Sequence, residues 1–232
     1  MFMGIKERQQ RERDRIREAI LTAARELFVS DGYRNVSMRK IADRIEYSPA
    51  AIYSYFRSKD DIFFELAEEG FRKLAEHIVG AVERVPDPLN RLRQGLLAFY
   101  GFSKIHPEYF ELMFVDRSVP QISQDFQRFE FFQATTARAA ADIRACIERT
   151  EFSAGLDPAA ALHILWVGML GVAIIGLAKR LAPGEDPDAL AHDLLELMLA
   201  GFSTSVTTTF VASECAFHAA DALVAKDAHD HA

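Results

Sequence analysis

The stretch from Val36 to Ile62 reads V-S-M-R-K-I-A-D-R-I-E-Y-S-P-A-A-I-Y-S-Y-F-R-S-K-D-D-I, and it decides the fold. The pattern predicts two short helices, a tight joint and the start of a third. Ser37 can cap the first, because its hydroxyl oxygen can accept from a free backbone N–H one turn on. Met38, Ile41, Ala42 and Ile45 then recur at helical spacing and give that helix one apolar face. Ser48-Pro49 opens the second, the proline fitting a first turn where its missing N–H is not needed. Ile52 and Phe56 are its apolar pair, four apart, which leaves Ala50, Ala51, Tyr53, Ser54 and Tyr55 on other faces. Ser58 caps again. Lys59 begins a long helix with Asp60 and Asp61 in its first turn, where the helix dipole favours acids. Two short helices across a three- or four-residue joint form the helix-turn-helix pattern, whose second helix is sized for the major groove.

Three runs carry a more specific likeness: A-A-R-E-L-F-V-S-D-G-Y from Ala23 to Tyr33, then V-S-M-R-K-I-A-D-R-I, then S-P-A-A-I-Y-S-Y-F-R-S-K-D-D-I. Together they resemble the DNA-binding domain of the TetR/AcrR family of transcriptional regulators, with apolar, aromatic and capping positions in register. Further on, only the helical layout is similar. The resemblance implies that Arg39, Ala50 and Ala51 lie nearest the base edges, while Ser37, Ser48, Tyr53, Tyr55 and Lys59 grip phosphates around Pro49. Arginine can pair bidentately with guanine, and alanine can only press a thymine methyl. Tyr53 and Tyr55 have a competing role, a ring packed on Ile45 or Phe56 with the hydroxyl outside. Glu46 departs from the family, standing where many members carry glycine. Some members carry the I-E-Y-S-P joint, so a variant turn is expected. If Glu46 has positive φ, it bears a strain of about 1–2 kcal/mol.

The charge distribution agrees with a nucleic-acid partner although the total does not. The net charge is −7, yet residues 1–60 hold 13 Lys and Arg against 9 Asp and Glu, and the remainder holds 14 against 25. A basic head on an acidic body suits a protein that presents one end to phosphates. The charged start, K-E-R-Q-Q-R-E-R, is no signal peptide, and Cys146 and Cys215 have neither metal nor redox spacing. A cytoplasmic location without metal or cofactor is the expectation.

The chain predicts an all-α protein: a head over 1–60, a helical body over 61–213 and a frayed tail over 214–232. Its first helix is expected over about 6–31, ended by Gly32, with Ile16, Ile20, Ala23, Ala24, Leu27 and Phe28 inward. The charged opening is either a solvated face, with Asp14 paired to Arg17, or an arm that touches DNA. The fourth helix is expected over about 59–84. Three Asp-Pro pairs, at Asp87, Asp157 and Asp186, mark helix starts near 88–105, 158–182 and 187–213. Shorter proline signals add helices near 107–115 and 121–151. The D-A-H-D-H tail resembles a loose metal-binding string, against which stands a disordered acidic end.

Between Ala159 and Ala178 the only polar side chain is His163, and about 20 apolar residues can span a bilayer. Three glycines and the absence of a flanking Trp/Tyr belt favour instead the central helix of a bundle or a dimer seam. Aromatics crowd the body, and Phe126, Phe129, Phe131 and Phe132 cannot share one helix face. Some therefore line a second surface, a cavity or a partner, unless they are filled core. In TetR-like proteins the equivalent helices enclose an inducer pocket, which implies a ligand site here. Phe99, Phe102, Phe110, Phe114, Phe129 and Trp166 are its candidate walls. His106, Asp116, Arg117, Arg128, Gln133 and His163 are the few polar groups able to orient a ligand, and this balance suits a hydrophobic molecule. Gly168→Leu is expected to fill the space that Phe110→Ala enlarges. The resemblance further implies a homodimer through the last two helices.

The function these features predict is a ligand-responsive regulator, a repressor binding a near-palindromic operator and released by a hydrophobic small molecule. The alternative is an all-helical carrier or enzyme without specific DNA binding. No G-x-S-x-G, H-E-x-x-H or phosphate-cradling glycine loop supports catalysis.

Overall fold

The computed structural model describes residues 5–115, 130–204 and 209–210. Among them are nine α-helices and no strand: α1 (Ile5–Asp31), α2 (Met38–Arg44), α3 (Pro49–Tyr53), α4 (Lys59–Val82), α5 (Pro88–Ile105), α6 (Pro107–Phe110), α7 (Glu130–Glu148), α8 (Pro158–Leu177) and α9 (Pro187–Phe202). A 3-10 turn at Tyr33–Asn35 follows α1, and a π-helical turn at Glu111–Val115 continues α6. The chain falls into two compact units. The head comprises Met1–Gly70 with Glu108–Gln124, and the body comprises Phe71–Pro107 with Asp125–Ala232. α4 runs from one into the other.

Helix starts lie where the caps put them. The side chains of Ser37, Ser48, Asp87, Asp157 and Asp186 each accept from backbone N–H groups of their helix's first turn. Ser58 and Asp61 exchange such bonds at the start of α4. α1 and α5 end where expected, at Asp31 and Ile105, but three other helix ends fall short. α8 stops at Leu177 rather than near 182, α9 at Phe202 rather than 213, and α4 at Val82 rather than 84. Ala182, Pro183 and Gly184 follow the end of α8, and Gly184 has φ 93°. The start of the helix expected at 121 lies outside the described residues, as do Cys215 and the histidine tail.

The head buries the predicted apolar stripes in one core. Ile20, Ala24 and Phe28 of α1, Ile41 and Ala42 of α2, Ile52 of α3, and Ile62, Phe63 and Leu66 of α4 are all buried. Phe28, Tyr33 and Phe63 form an aromatic trio with centroids 5.1–5.8 Å apart. Arg17 pairs with Glu65 of α4 rather than with Asp14. Leu112 of the π-helical turn joins this core, and Arg25 of α1 donates to the Tyr109 hydroxyl at 2.8 Å. Gly70 of α4 admits that segment closely, since a Cβ there would lie 2.5 Å from the Met113 sulfur.

In the body, α8 packs against α5, α7 and α9. It is long and apolar enough to cross a membrane, and 39% of its most apolar 18 residues are buried inside the body. Ala161, Leu165, Met169 and Val172 form that buried side, while Val167 and Ile175 are exposed. α5 is tied to α9 by Arg93 with Glu196, and by Tyr100 and Lys104 with Asp188.

The joint between α2 and α3 has the strained form that the sequence raised as a condition. The Tyr47 N–H bonds to the Ala42 carbonyl at 3.0 Å and the Glu46 N–H to that of Asp43 at 3.4 Å. Together these close the helix end with a left-handed residue between. That residue is Glu46, at φ 59°. Glu46→Gly removes a cost of about 1–2 kcal/mol and loses about 0.4–1 kcal/mol to the freer unfolded chain. A net gain of up to about 1.6 kcal/mol is expected, read as a higher urea midpoint at unchanged slope. A lower midpoint would show that the joint needs the glutamate side chain itself.

Candidate nucleic-acid interface and ligand cavity

The head's outer surface is built by caps and by what the core leaves outside. Because Met38 and Ile41 point inward, Arg39 is carried outward, with its side chain 82% exposed. Its one recorded ion pair, to Asp43, is long at 3.9 Å, and exposed pairs of this kind contribute little. On α3, Ile52 is buried, which turns Ala50 and Tyr53 to solvent and leaves Pro49 and Ala51 half-buried. Ser37 and Ser48 are exposed. Their hydroxyl oxygens accept from Lys40 and Ala51 N–H at 3.2 Å, which leaves each hydroxyl hydrogen to donate outward.

Two candidates have inward work. Tyr55 is half-buried against the head core, and the Arg13 guanidinium lies 5.8 Å above its ring. Lys59 directs its ammonium to the carbonyls of Tyr33 and Val36, at 2.7 and 2.9 Å, over the face of the Tyr33 ring. It thereby holds the 3-10 turn against α4. Arg13 was absent from the sequence-derived set. Its only signal was the basic run of α1, which a solvated face explains equally well.

The body contains a cavity of about 270 Å³ between the second half of α4, α5, α7 and α8. Its wall is mostly aliphatic: Leu74, Ile78 and Val82 face Leu92, Leu96 and Leu162, with Phe71, Phe99 and Trp166 as its aromatics. Inside it, Arg91 makes a bidentate pair with Asp142, which is 6% exposed. The same guanidinium donates to the carbonyls of Val85 and Pro86, just past the end of α4, at 3.1 and 2.7 Å. His163 also lines the cavity, and its Nδ1 is 3.2 Å from the Ala159 carbonyl.

Of the expected wall, Phe99 and Trp166 therefore meet at this cavity, and Phe102, Phe110 and Phe114 do not. Phe102 is fully buried between the rings of His77 and His106. Phe110 and Phe114 pack on each other at 4.8 Å and belong to the head. Phe129 lies outside the described residues, with Asp116, Arg117 and Arg128. Gly168 does not border the cavity either. A Cβ on it would lie 2.7 Å from the Met198 sulfur, so it serves the close contact of α8 with α9. The wall is made chiefly of Leu, Ile and Val on α4 and α5, which aromatic content in the sequence does not mark.

Among the described residues no three His, Cys, Asp or Glu side chains gather as a metal site. Burial pushes the Cys146 thiol up to about 12, and a hydrogen bond to Glu151 adds to the shift. Such a thiol is a packing residue rather than a nucleophile.

Comparison with known proteins adds the following. Residues 20–66 match the bacterial regulatory proteins of the tetR family, and residues 92–198 match a tetracyclin repressor-like C-terminal domain. The HTH-type transcriptional repressor Rv1474c of Mycobacterium tuberculosis is 30% identical over 191 residues, 78% of this chain and 90% of that protein. The HTH-type transcriptional activator FasR of Mycolicibacterium smegmatis is 31% identical over 113 residues, 48% of this chain; the match spans only about half of FasR's length, 52%. The solved structure of FadR from Bacillus subtilis, in complex with stearoyl-CoA, shares the fold at TM-score 0.66. It is 19% identical, over 79% of this chain and 98% of that one.

Arg39→Ala is expected to weaken binding to the preferred DNA by about 1–3 kcal/mol and to relax preference at one base pair per half-site. Binding-site selection with the variant measures this, and an unchanged preference removes Arg39 from base reading. Lys59→Ala is expected to destabilise the head by about 1–3 kcal/mol, because two carbonyls lose a charged donor. Its effect on DNA is read separately, from the salt slope, which falls by roughly one per site when a phosphate contact is lost. A slope that does not move takes Lys59 off the DNA backbone.

Proposed function

The chain belongs to the TetR family of bacterial regulatory proteins, and we propose that it is a cytoplasmic repressor which binds a near-palindromic operator as a homodimer and leaves it when a hydrophobic small molecule occupies the body. The observation that carries the proposal is the apolar cavity walled by the second half of α4, the helix that continues from the head. Occupying that space acts on a long helix common to both units. A ligand shifts DNA affinity only by its differential affinity for the released state, and a cavity with α4 as one wall supplies a place for such a difference. The stearoyl-CoA bound to FadR is a fold-level parallel for an apolar effector.

Homodimerisation is favoured by the apolar side chains that α8 and α9 leave uncovered. Val167 is 56% and Leu197 71% exposed, and Ile175 and Leu190 are exposed as well. A Cβ added at Gly171 or Gly201 would meet nothing within 4 Å, so both helices have room for a close neighbour. A two-fold pair of heads is what a palindromic site requires.

The deciding measurement is fluorescence anisotropy of the full chain on DNA from its own upstream region. Binding as a dimer and release by an apolar compound are expected. Release without DNA specificity, or no DNA binding at all, would favour the carrier reading. Ligand-enhanced binding would make the protein an activator or a co-repressor-dependent one. Gly95 offers the matching variant: it lines the cavity, and a Cβ there would sit at an ordinary 3.4 Å from Val82. Gly95→Ala should stabilise by about 0.5–1 kcal/mol, from helix propensity. Gly95→Leu should bind DNA as the parent does and no longer respond to the compound. A Gly95→Leu protein that is still released would move the effector elsewhere.

A further inference from the structure

The charges around the cavity do not cancel. Among the described residues, Arg91, Asp142 and Arg138 are the Lys, Arg, Asp and Glu side chains that line it. Arg91 and Asp142 neutralise each other through their bidentate pair, and the remaining donors of Arg91 hold the carbonyls of Val85 and Pro86. A ligand cannot take Arg91 without leaving Asp142 buried and unpaired, which is strongly unfavourable. Arg138 is in the opposite condition. It lies one turn before Asp142 on α7, exposed at the cavity's edge, and neither a hydrogen bond nor an ion pair to a described residue engages it. Thr135 lies one turn before Arg138 on the same side of the helix and also lines the space.

Among the described residues the cavity therefore presents one surplus positive charge at its edge and an apolar wall behind it. An apolar cation would set its charge against Arg138. An uncharged molecule would fill the space and give the guanidinium no partner. An anionic head gains a short charge-assisted bond, bidentate for carboxylate or phosphate, because the planar fork of arginine matches both. We propose that the effector is an amphiphile with an apolar body and one anionic head, carboxylate or phosphate, and that Arg138 binds the head. The proposal rests on the cavity being the effector site. Arg138 then determines ligand class, and the apolar wall determines the length and shape of the body.

Calorimetric titration of the full chain with four ten-carbon probes tests it, each kept below its micelle concentration: decanoate, decyl phosphate, decanol and decyltrimethylammonium. At least one anion should bind the parent about ten-fold or more tighter than decanol, in line with a single charged hydrogen bond. Arg138→Gln should abolish that advantage while leaving decanol affinity unchanged, and Arg138→Lys should restore part of it. The anion with the larger loss in Arg138→Gln identifies the head as carboxylate or phosphate. Equal binding of anion and alcohol, tightest binding of the cation, or an anion affinity untouched by Arg138→Gln would overturn the proposal and leave the cavity as a ligand site. If none of the four binds the parent, the cavity loses its role as a ligand site and the proposal falls with it.

Discussion

A helix begins with backbone N–H groups that nothing inside it can satisfy, and this chain is organised around that constraint. Ser37, Ser48 and Ser58 in the head and Asp87, Asp157 and Asp186 in the body each place an oxygen on the first turn that follows. Four of the six are followed by proline, which fixes the entry angle without wasting a donor. With the starts pinned, the apolar stripes fix each helix's rotation. Arg39 faces outward because Met38 and Ile41 must face inward.

The same constraint explains what was legible in the sequence. Caps act within four residues, so Asp87-Pro88, Asp157-Pro158 and Asp186-Pro187 gave helix starts to the residue. Helix ends carried fewer such marks: Gly32, at φ 77°, closes α1 where expected, but α8 and α9 had no equivalent at their last residues. α8 and α9 stop before the predicted limits at chain that is itself compatible with helix. The π-helical turn at Glu111–Val115 was not legible either. It depends on Leu112 reaching the head core and on the room left by Gly70, and neither is a local property. Which side chains the head core leaves outside, such as Arg39 and Ala50, could be read because that core repeats at helical spacing, whereas the inward turn of Tyr55 and Lys59 could not. The cavity could not, because an enclosed space belongs to no single helix. Four helices border it, and its aliphatic wall is indistinguishable in sequence from filled core.

Lys59 and Arg91 show how one cation can serve two ends. Each is held by main-chain carbonyls as well as by a side chain: Lys59 by Tyr33 and Val36 over an aromatic ring, Arg91 by Val85 and Pro86 beside Asp142. The first sits at the start of α4 within the head and the second just beyond its end within the body. Each end of this helix, common to both units, thus has a long basic side chain that satisfies neighbouring main-chain carbonyls.

An apolar helix with only one covered side has a thermodynamic consequence. Val167 on α8 and Leu197 on α9 bring unfavourable hydration to any isolated copy of the body. Whatever covers them binds the folded chain and not the unfolded one, so it draws the folding equilibrium toward itself by mass action. For self-association, the covering agent is the protein's own concentration. Dilution then acts as a mild denaturant, and a regulator present at few copies per cell is held folded in part by how many copies there are.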